Sequence, residues 1–217
     1  YVIDRNEVSY GDYDSHIPIG SLPLHFRKNL IDFQNTSSGW LQADTEIVDT
    51  IRKNLTKNKS KIIIGISWKT ISLLTQSHLR NIELEVLLKP LKKLDASFVN
   101  LQYGEVSEEI SSLKIDLGIE VLEVPGIDLY NDIDGLASVI SACDYVISID
   151  NVTPHLAGAL GVNTKLLLPS IADERWGTET NKSYLYESID IYRQSVYGDW
   201  SKPLAEMAKD LEILFRN

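Results

Sequence analysis

Unbroken apolar runs recur along this chain, each too short for a helix and rich in β-branched or aliphatic residues. KIIIGISW (61–68), SFVNLQY (97–103), IEVLEV (119–124), YVISI (145–149) and TKLLLP (164–169) read as buried strands, and SIDIYR (188–193) as a short sixth. Between them the apolar positions fall at helical spacing. LEVLLKPLKKL (84–94) is a helix in which Pro90 should form a kink or end a turn. SEEISSLKIDLG (107–118) is amphipathic and closed by Gly118. DIDGLASVISACD (132–144) has an acidic first turn, PHLAGALG (154–161) is built of small residues, and SKPLAEMAKDLEILFRN (201–217) is a terminal helix with Ser201 as its cap.

Strands alternating with helices imply βαβ units, and strands apolar on both faces imply a sheet covered on both sides. The expected fold is α/β, a doubly wound parallel sheet. Residues 1–55 break the rhythm. DYDSHIPIGSLPLHF (12–26) is turn-rich, and DTEIVDTIRKNLTKNKSK (44–61) is a helix decaying into a polar linker at 56–61. The expected organisation is a lead-in and linker from an upstream domain over 1–55, then a Rossmann-like domain over 56–217.

Composition narrows the function. A net charge of -10 argues against nucleic acid and against anionic membrane surfaces, both of which need a basic face. No apolar run approaches the ~18 residues of a membrane span, and the expected location is the cytoplasm. The lone Cys143 sits among apolar residues and reads as a buried structural thiol.

Ligands of an open parallel sheet bind beyond the carboxyl ends of its strands. That rim holds Ser67–Lys69, Gln102–Gly104, Pro125–Asp128, Asp150–His155 and Pro169–Trp176. Thr153-Pro154 looks like a helix start, with Thr153 as N-cap and Pro154 first in the helix, so that the His155 and Leu156 amides would face an anion. His155 could donate to a phosphate oxygen or simply hold the turn. Arg80, in the loop after the first strand, could pair with two phosphate oxygens, with Lys69 a weaker candidate of the same kind. The first strand is followed by no G-x-G-x-x-G, P-loop or G-x-S-x-G pattern, and no Cys/His grouping has metal-ligand spacing.

These residues resemble the C-terminal, donor-binding half of a GT-B glycosyltransferase. They are most similar to bacterial enzymes that often follow tetratricopeptide repeats, related to lipopolysaccharide heptosyltransferases and to protein O-linked N-acetylglucosamine transferases. The matching stretches are HIPIGSLP (16–23), IGISWK (64–69), FVNLQYGEVSEEI (98–110), NDIDGLASVISACDYVISIDNVTPHLAGALG (131–161), RW (175–176) and YRQSVYGDW (192–200). The resemblance implies a Rossmann-like domain holding a nucleotide diphosphate sugar as substrate, with no metal and no other cofactor. Arg80 would stabilise the leaving nucleotide. Asp150, Asn151, Val152, Thr153 and His155 would meet phosphate and ribose, Gln102, Tyr103 and Gly104 the base or sugar, and Lys69 the same ligand. The terminal helix would brace the two halves, with His16 at their interface. The acceptor, a glycan, lipid or protein, and its catalytic base would engage the N-terminal half, and the isolated chain is expected to be inactive.

The sequence departs from the family where a tryptophan-arginine-tryptophan block reads DERW, with Glu174 set to neutralise Arg175. It departs again where a tryptophan-tyrosine pair reads YLYES, and where Pro154 precedes the histidine. The alternatives are a non-catalytic GT-B module kept for interaction and a sugar-nucleotide epimerase half.

Overall fold

The computed structural model describes residues 14–33, 39–56, 62–71, 79–178 and 180–216. Residues 57–61, most of the expected linker, lie outside them. The chain forms two compact units, Tyr1–Asn35 and Thr36–Asn217. In the smaller, 3-10 turns flank a four-residue helix, α1 (Pro23–Phe26), and Ile19, Leu24 and Phe26 are exposed.

The larger unit is one six-stranded sheet. Its strands are β1 (Ile62–Ser67), β2 (Ala96–Asn100), β3 (Val121–Leu122), β4 (Tyr145–Ile149), β5 (Asn163–Leu168) and β6 (Ile189–Arg193), ordered 3-2-1-4-5-6. Every neighbouring pair is parallel. Its helices are α2 (Thr45–Leu55), α3 (Leu84–Leu88), α4 (Ser107–Leu117), α5 (Ile133–Ser141), α6 (Val152–Leu160) and α7 (Ser201–Phe215). The doubly wound parallel sheet expected from the alternation is present. The edge strand β3 is shorter than the apolar run at 119–124 suggests: only Val121 and Leu122 pair, with Phe98 and Val99 of β2. Pro90 ends α3 in a 3-10 turn, Lys89–Leu91.

Successive residues of β1 serve opposite faces, as the two-residue period of a strand requires. Ile64 and Ile66 join a core formed with α3, α4 and α7 that includes Trp68, Leu87, Leu113 and Met207. Ile63 joins a second core with α2 and α5 that includes Ile51, Leu55, Leu136 and Ile140. Gly65 belongs on this second face for want of room: a Cβ there would stand 2.4 Å from Leu101 Cδ1 and 3.1 Å from Cys143 Sγ. Each Ile or Leu buried in these layers contributes about 1.5–3 kcal/mol.

Helix α2, placed in the lead-in by its sequence position, packs in the larger unit. Ile51 and Leu55 are buried, and Arg52 donates to Ala142 O (2.8 Å) and Asp144 Oδ1 (2.6 Å). Asp144 also accepts from Ile63 N at 2.8 Å, which ties α2 to the start of β1. Cys143 is buried as expected, and burial, reinforced by the Asp144 charge, pushes its thiol up to about 12. Asp190 on β6 pairs with the buried Lys165 and with Lys182, and this charge group closes that edge.

Candidate functional site

Strand order reverses between β1 and β4, which are hydrogen-bonded neighbours. The connection after β1 leads to α3 on one core, and that after β4 leads to α6 on the other. A crevice between two such departing loops is where open α/β sheets take ligands.

Four side chains hold the segment Ser67–Thr70, where the chain leaves β1. Gln102 Oε1 accepts from Ser67 Oγ (3.2 Å), Trp68 N (3.0 Å) and Lys69 N (2.9 Å), while its Nε2 donates to Tyr103 O (3.0 Å). Asn151 Nδ2 donates to Ser67 Oγ (2.8 Å) and Lys69 O (3.4 Å). Asn81 accepts from Thr70 N (2.9 Å) and donates to Thr70 O (3.3 Å). Glu109, in the first turn of α4, accepts from the Trp68 indole at 2.8 Å and pairs with the Lys69 ammonium. Beside that pair opens a cleft of about 800 Å³, walled by Trp68, Glu83, Tyr197 and Trp200. Gln102, Asn151 and Lys69, expected at a ligand, thus direct their polar groups to the protein.

The turn after β4 is held as firmly. Asp150 Oδ1 accepts from the indole of the fully buried Trp176 at 2.8 Å. Arg80 donates to Asp150 O at 3.0 Å and stands 3.5 Å from Asp150 Oδ2. Arg80 and the Asp150 turn, 70 residues apart in sequence, therefore meet at the switch point.

The start of α6 corrects an expectation. Asn151, not Thr153, is the N-cap: its backbone is extended and its Oδ1 accepts from Thr153 N at 2.9 Å. Val152 is the first helical residue and Pro154 the third. Proline is tolerated there because none of the first three N–H groups has a partner within the helix. His155 and Leu156 consequently lie too deep in the helix for their amides to face the rim. Of the first three positions, Thr153 N is capped and Pro154 has no N–H, which leaves Val152 to meet an anion. Thr153 is fully buried, and its Oγ1 has no hydrogen-bond partner among the described residues.

His155 stacks on Trp176 (4.7 Å, 24°), and its Nδ1 lies 3.1 Å from the Tyr186 hydroxyl. Burial, followed by the charge of Arg175, holds its pKa below the usual imidazole value. Trp40 stacks on Tyr186 in turn. Gly158 admits this group: a Cβ there would stand 2.4 Å from the Tyr186 ring. The small residues of α6 thus make room for a side chain from the segment before β6. Arg175 is neutralised by Asp173, not by the neighbouring Glu174. The bond is bidentate, 2.7 Å at each oxygen, and holds the Asp173 pKa down at about 2.

Tyr103 follows β2, with its hydroxyl 3.2 Å from Thr70 Oγ1, and Gly104 turns the chain at φ +86°. His16 is exposed in the smaller unit. Glu109 and Asn81, which hold the segment after β1, and Tyr186, which meets His155, were not legible as site residues. The one available signal was Trp176, since a buried indole N–H requires an acceptor. Among the described residues no group of three or more His, Cys, Asp or Glu side chains is placed to hold a metal ion, and no helix is long and apolar enough to cross a membrane.

This topology is the Rossmann-like architecture of a GT-B C-terminal domain. An Escherichia coli ADP-heptose lipopolysaccharide heptosyltransferase II shares it, with a TM-score of 0.57 at 14% identity over 81% of this chain and 53% of that enzyme. The glycosyl transferase family 9 structure from Veillonella parvula aligns more loosely, with a TM-score of 0.48 at 12% identity over 83% and 53% of the two chains. In sequence, the chain is 32% identical over 174 residues to protein FlbA of Caulobacter vibrioides, covering 80% of this chain and 29% of that protein. The chain therefore spans less than a third of that curated relative and about half of the structural ones. No family model matches the sequence.

Proposed function

We propose that this chain is the donor-binding half of an inverting, metal-independent glycosyltransferase. The observation that carries the reading is the meeting of Arg80 with the Asp150–Asn151 turn at the β1/β4 switch point. A nucleoside diphosphate leaving group gathers negative charge as the glycosidic bond breaks. A guanidinium already fixed beside it stabilises the transition state more than the ground state. The similarity in fold to an enzyme described as acting with ADP-heptose supports a nucleotide diphosphate sugar as the donor. In this reading the segment before α2 leads in from an N-terminal half that carries the base and binds a glycan, lipid or protein acceptor. Asp150, Asn151 and Val152 shape the phosphate site while Gln102 and Lys69 maintain the loop facing it, and the protein works in the cytoplasm.

Titration of the full-length protein with ADP, GDP, UDP and CDP tests this. At least one should bind, and Arg80→Ala should weaken it about tenfold or more, as expected for losing a hydrogen bond to a charged group. Failure of all four to bind would reject the reading.

A second reading, a GT-B module kept for interaction, has its own support. Arg80 faces Asp150, Lys69 pairs with Glu109, and Arg175 pairs with Asp173. Helix α6 retains few amides for an anion. Such a module would bind none of the nucleotides, so the same titration separates the two.

A further inference from the structure

The cleft of about 800 Å³ beside the Lys69–Glu109 pair is left unused by the donor-site reading, yet its walls are firmly built. On one side Ile82 N donates to Trp68 O at 3.0 Å and Thr70 N to Asn81 Oδ1 at 2.9 Å, which binds the segment 79–83 to the end of β1. On the other, the turn before α7 is closed three times. Gly198 N donates to Gln194 Oε1 (3.1 Å), Asp199 N to Val196 O (3.1 Å) and Ser201 N to Asp199 Oδ1 (2.8 Å). This turn carries Tyr197, 61% exposed, and leads into Trp200, half-buried against the core of α3, α4 and α7.

The lining selects the ligand. One lysine, already paired with Glu109, stands against the carboxylates of Glu83, Glu109 and Asp199, so a phosphate is disfavoured. Glu109 and Asp199 already accept from Trp68, Lys69 and Ser201, which commits much of that negative charge and favours hydroxyl groups over a cation. A wholly apolar ligand is disfavoured too, because it would strip water from these charges without replacing its hydrogen bonds. Beside them lie the apolar surfaces of Val86, Leu204, Tyr197 and Trp200. A saccharide matches both kinds of wall. Its C–H faces lie on aromatic and aliphatic side chains, and its hydroxyls donate to carboxylates. The volume falls within the ~300–1,000 Å³ of small-molecule sites. The place is equally telling: Leu79 and Asn81 line the cleft, and Arg80 between them donates to Asp150 O at the switch point.

We propose that this cleft binds a neutral saccharide of the acceptor, gripped between Tyr197 and Trp200 on one wall and Glu83 on the other. Its identity as a sugar site stands on its lining; its acceptor role rests on the donor-site reading. The proposal narrows the acceptor to a glycan and gives this half of the enzyme a share in holding it.

A glycan array probed with the full-length protein, with and without ADP, GDP, UDP and CDP, decides it, the strongest neutral glycan then being titrated calorimetrically. Glycans bearing phosphate or carboxylate groups should give weaker signals than their neutral counterparts. Tyr197→Ala and Glu83→Ala should each weaken the titrated glycan about tenfold, as losing a hydrogen bond to a charged group does for Glu83, and Tyr197→Phe should stay within about twofold of wild type. Both residues are exposed, so the variants should melt with the wild type, and their nucleotide affinity should be unchanged. Nucleotide binding without any glycan binding overturns the cleft and leaves the donor site standing. Glycan binding indifferent to Tyr197→Ala and Glu83→Ala overturns it by placing the sugar elsewhere, and signal confined to amino-bearing glycans overturns it by assigning the cleft to cations. Glycan binding that depends on Tyr197 without binding of any nucleotide keeps the sugar site and removes its acceptor role together with the donor reading.

Discussion

At Gln102 one amide oxygen accepts three hydrogen bonds from the segment Ser67–Lys69, and the residue is 1% exposed. Replacing it with methionine keeps the volume and leaves those donors without an acceptor. Unsatisfied buried groups cost about 1–3 kcal/mol each, so Gln102→Met should lower stability by roughly 3 kcal/mol in urea unfolding. Gln102→Glu retains the acceptor but loses the donor to Tyr103 O and buries a carboxylate, so it should recover only part of that loss.

His155 makes a pH-dependent prediction. Its folded pKa is depressed, chiefly by burial, so the folded state resists a proton that the unfolded chain accepts below about pH 6.5. Stability should fall as pH drops below that point, and His155→Phe should flatten this limb of the unfolding curve. Asp173 acts in the same sense at lower pH. Its pKa of about 2 means its contribution is complete above the ordinary carboxylate value and is lost as pH falls toward 2. With Asp173 and Arg175 side chains 37% and 49% exposed, solvent screening limits the pair to at most about 1 kcal/mol.

Among the elements, α6 carries the strongest conflict of forces. Gly158→Ala favours the helix by about 1 kcal/mol of intrinsic propensity. The new methyl meets Tyr186 at Cγ (2.4 Å) and Cβ (2.8 Å), atoms close to the backbone that cannot swing away. Overpacking of this kind costs about 1–3 kcal/mol, so the clash should win. The variant should melt lower, with altered fluorescence from Trp40 and Trp176. At the other end of the helix, Asn151→Ala removes the cap and also one of the two hydrogen-bond partners of Ser67 Oγ among the described residues, the other being Gln102. It should cost about 1–2 kcal/mol in urea unfolding. The terminal helix shows how little a cap residue reveals of its role: Ser201 is not the N-cap of α7 but donates its amide to Asp199 Oδ1 at 2.8 Å.

The α6 start shows where sequence reading reached its limit. Strand β4 and the helix after it were legible because their apolar spacing is local. That Asn151 rather than Thr153 caps the helix was not, because the choice depends on Asn151 reaching Ser67 and Lys69 across the sheet. Arg175 likewise chose Asp173 over Glu174 because a 3-10 turn brings residues two apart into bidentate reach.

For the whole molecule, the sheet order predicts a gradient of local stability. β1 and β4 lie at its centre with strands on both sides, whereas β3 has two residues and one partner. Hydrogen exchange should be slowest at Ile63–Ile66 and Val146–Ile149, approaching the global limit, and fastest among the strands at Val121–Leu122. Faster exchange in β1 than in β3 would contradict this order.

Alternation of apolar runs with helical spacing was sufficient to establish a doubly wound parallel sheet, because burial on both faces leaves a mark at every strand. It also located the rim, because ligands of an open parallel sheet bind beyond the carboxyl ends of its strands and polar residues follow those strands in the sequence. The tertiary structure decided which rim residues are scaffold and which face outward. Gln102, Asn151 and Lys69 are turned inward by partners 33 to 84 residues away, and Tyr130 is held outward by its Asp128 turn. A residue's type states which hydrogen bonds it can make; only packing between distant segments states which ones it does.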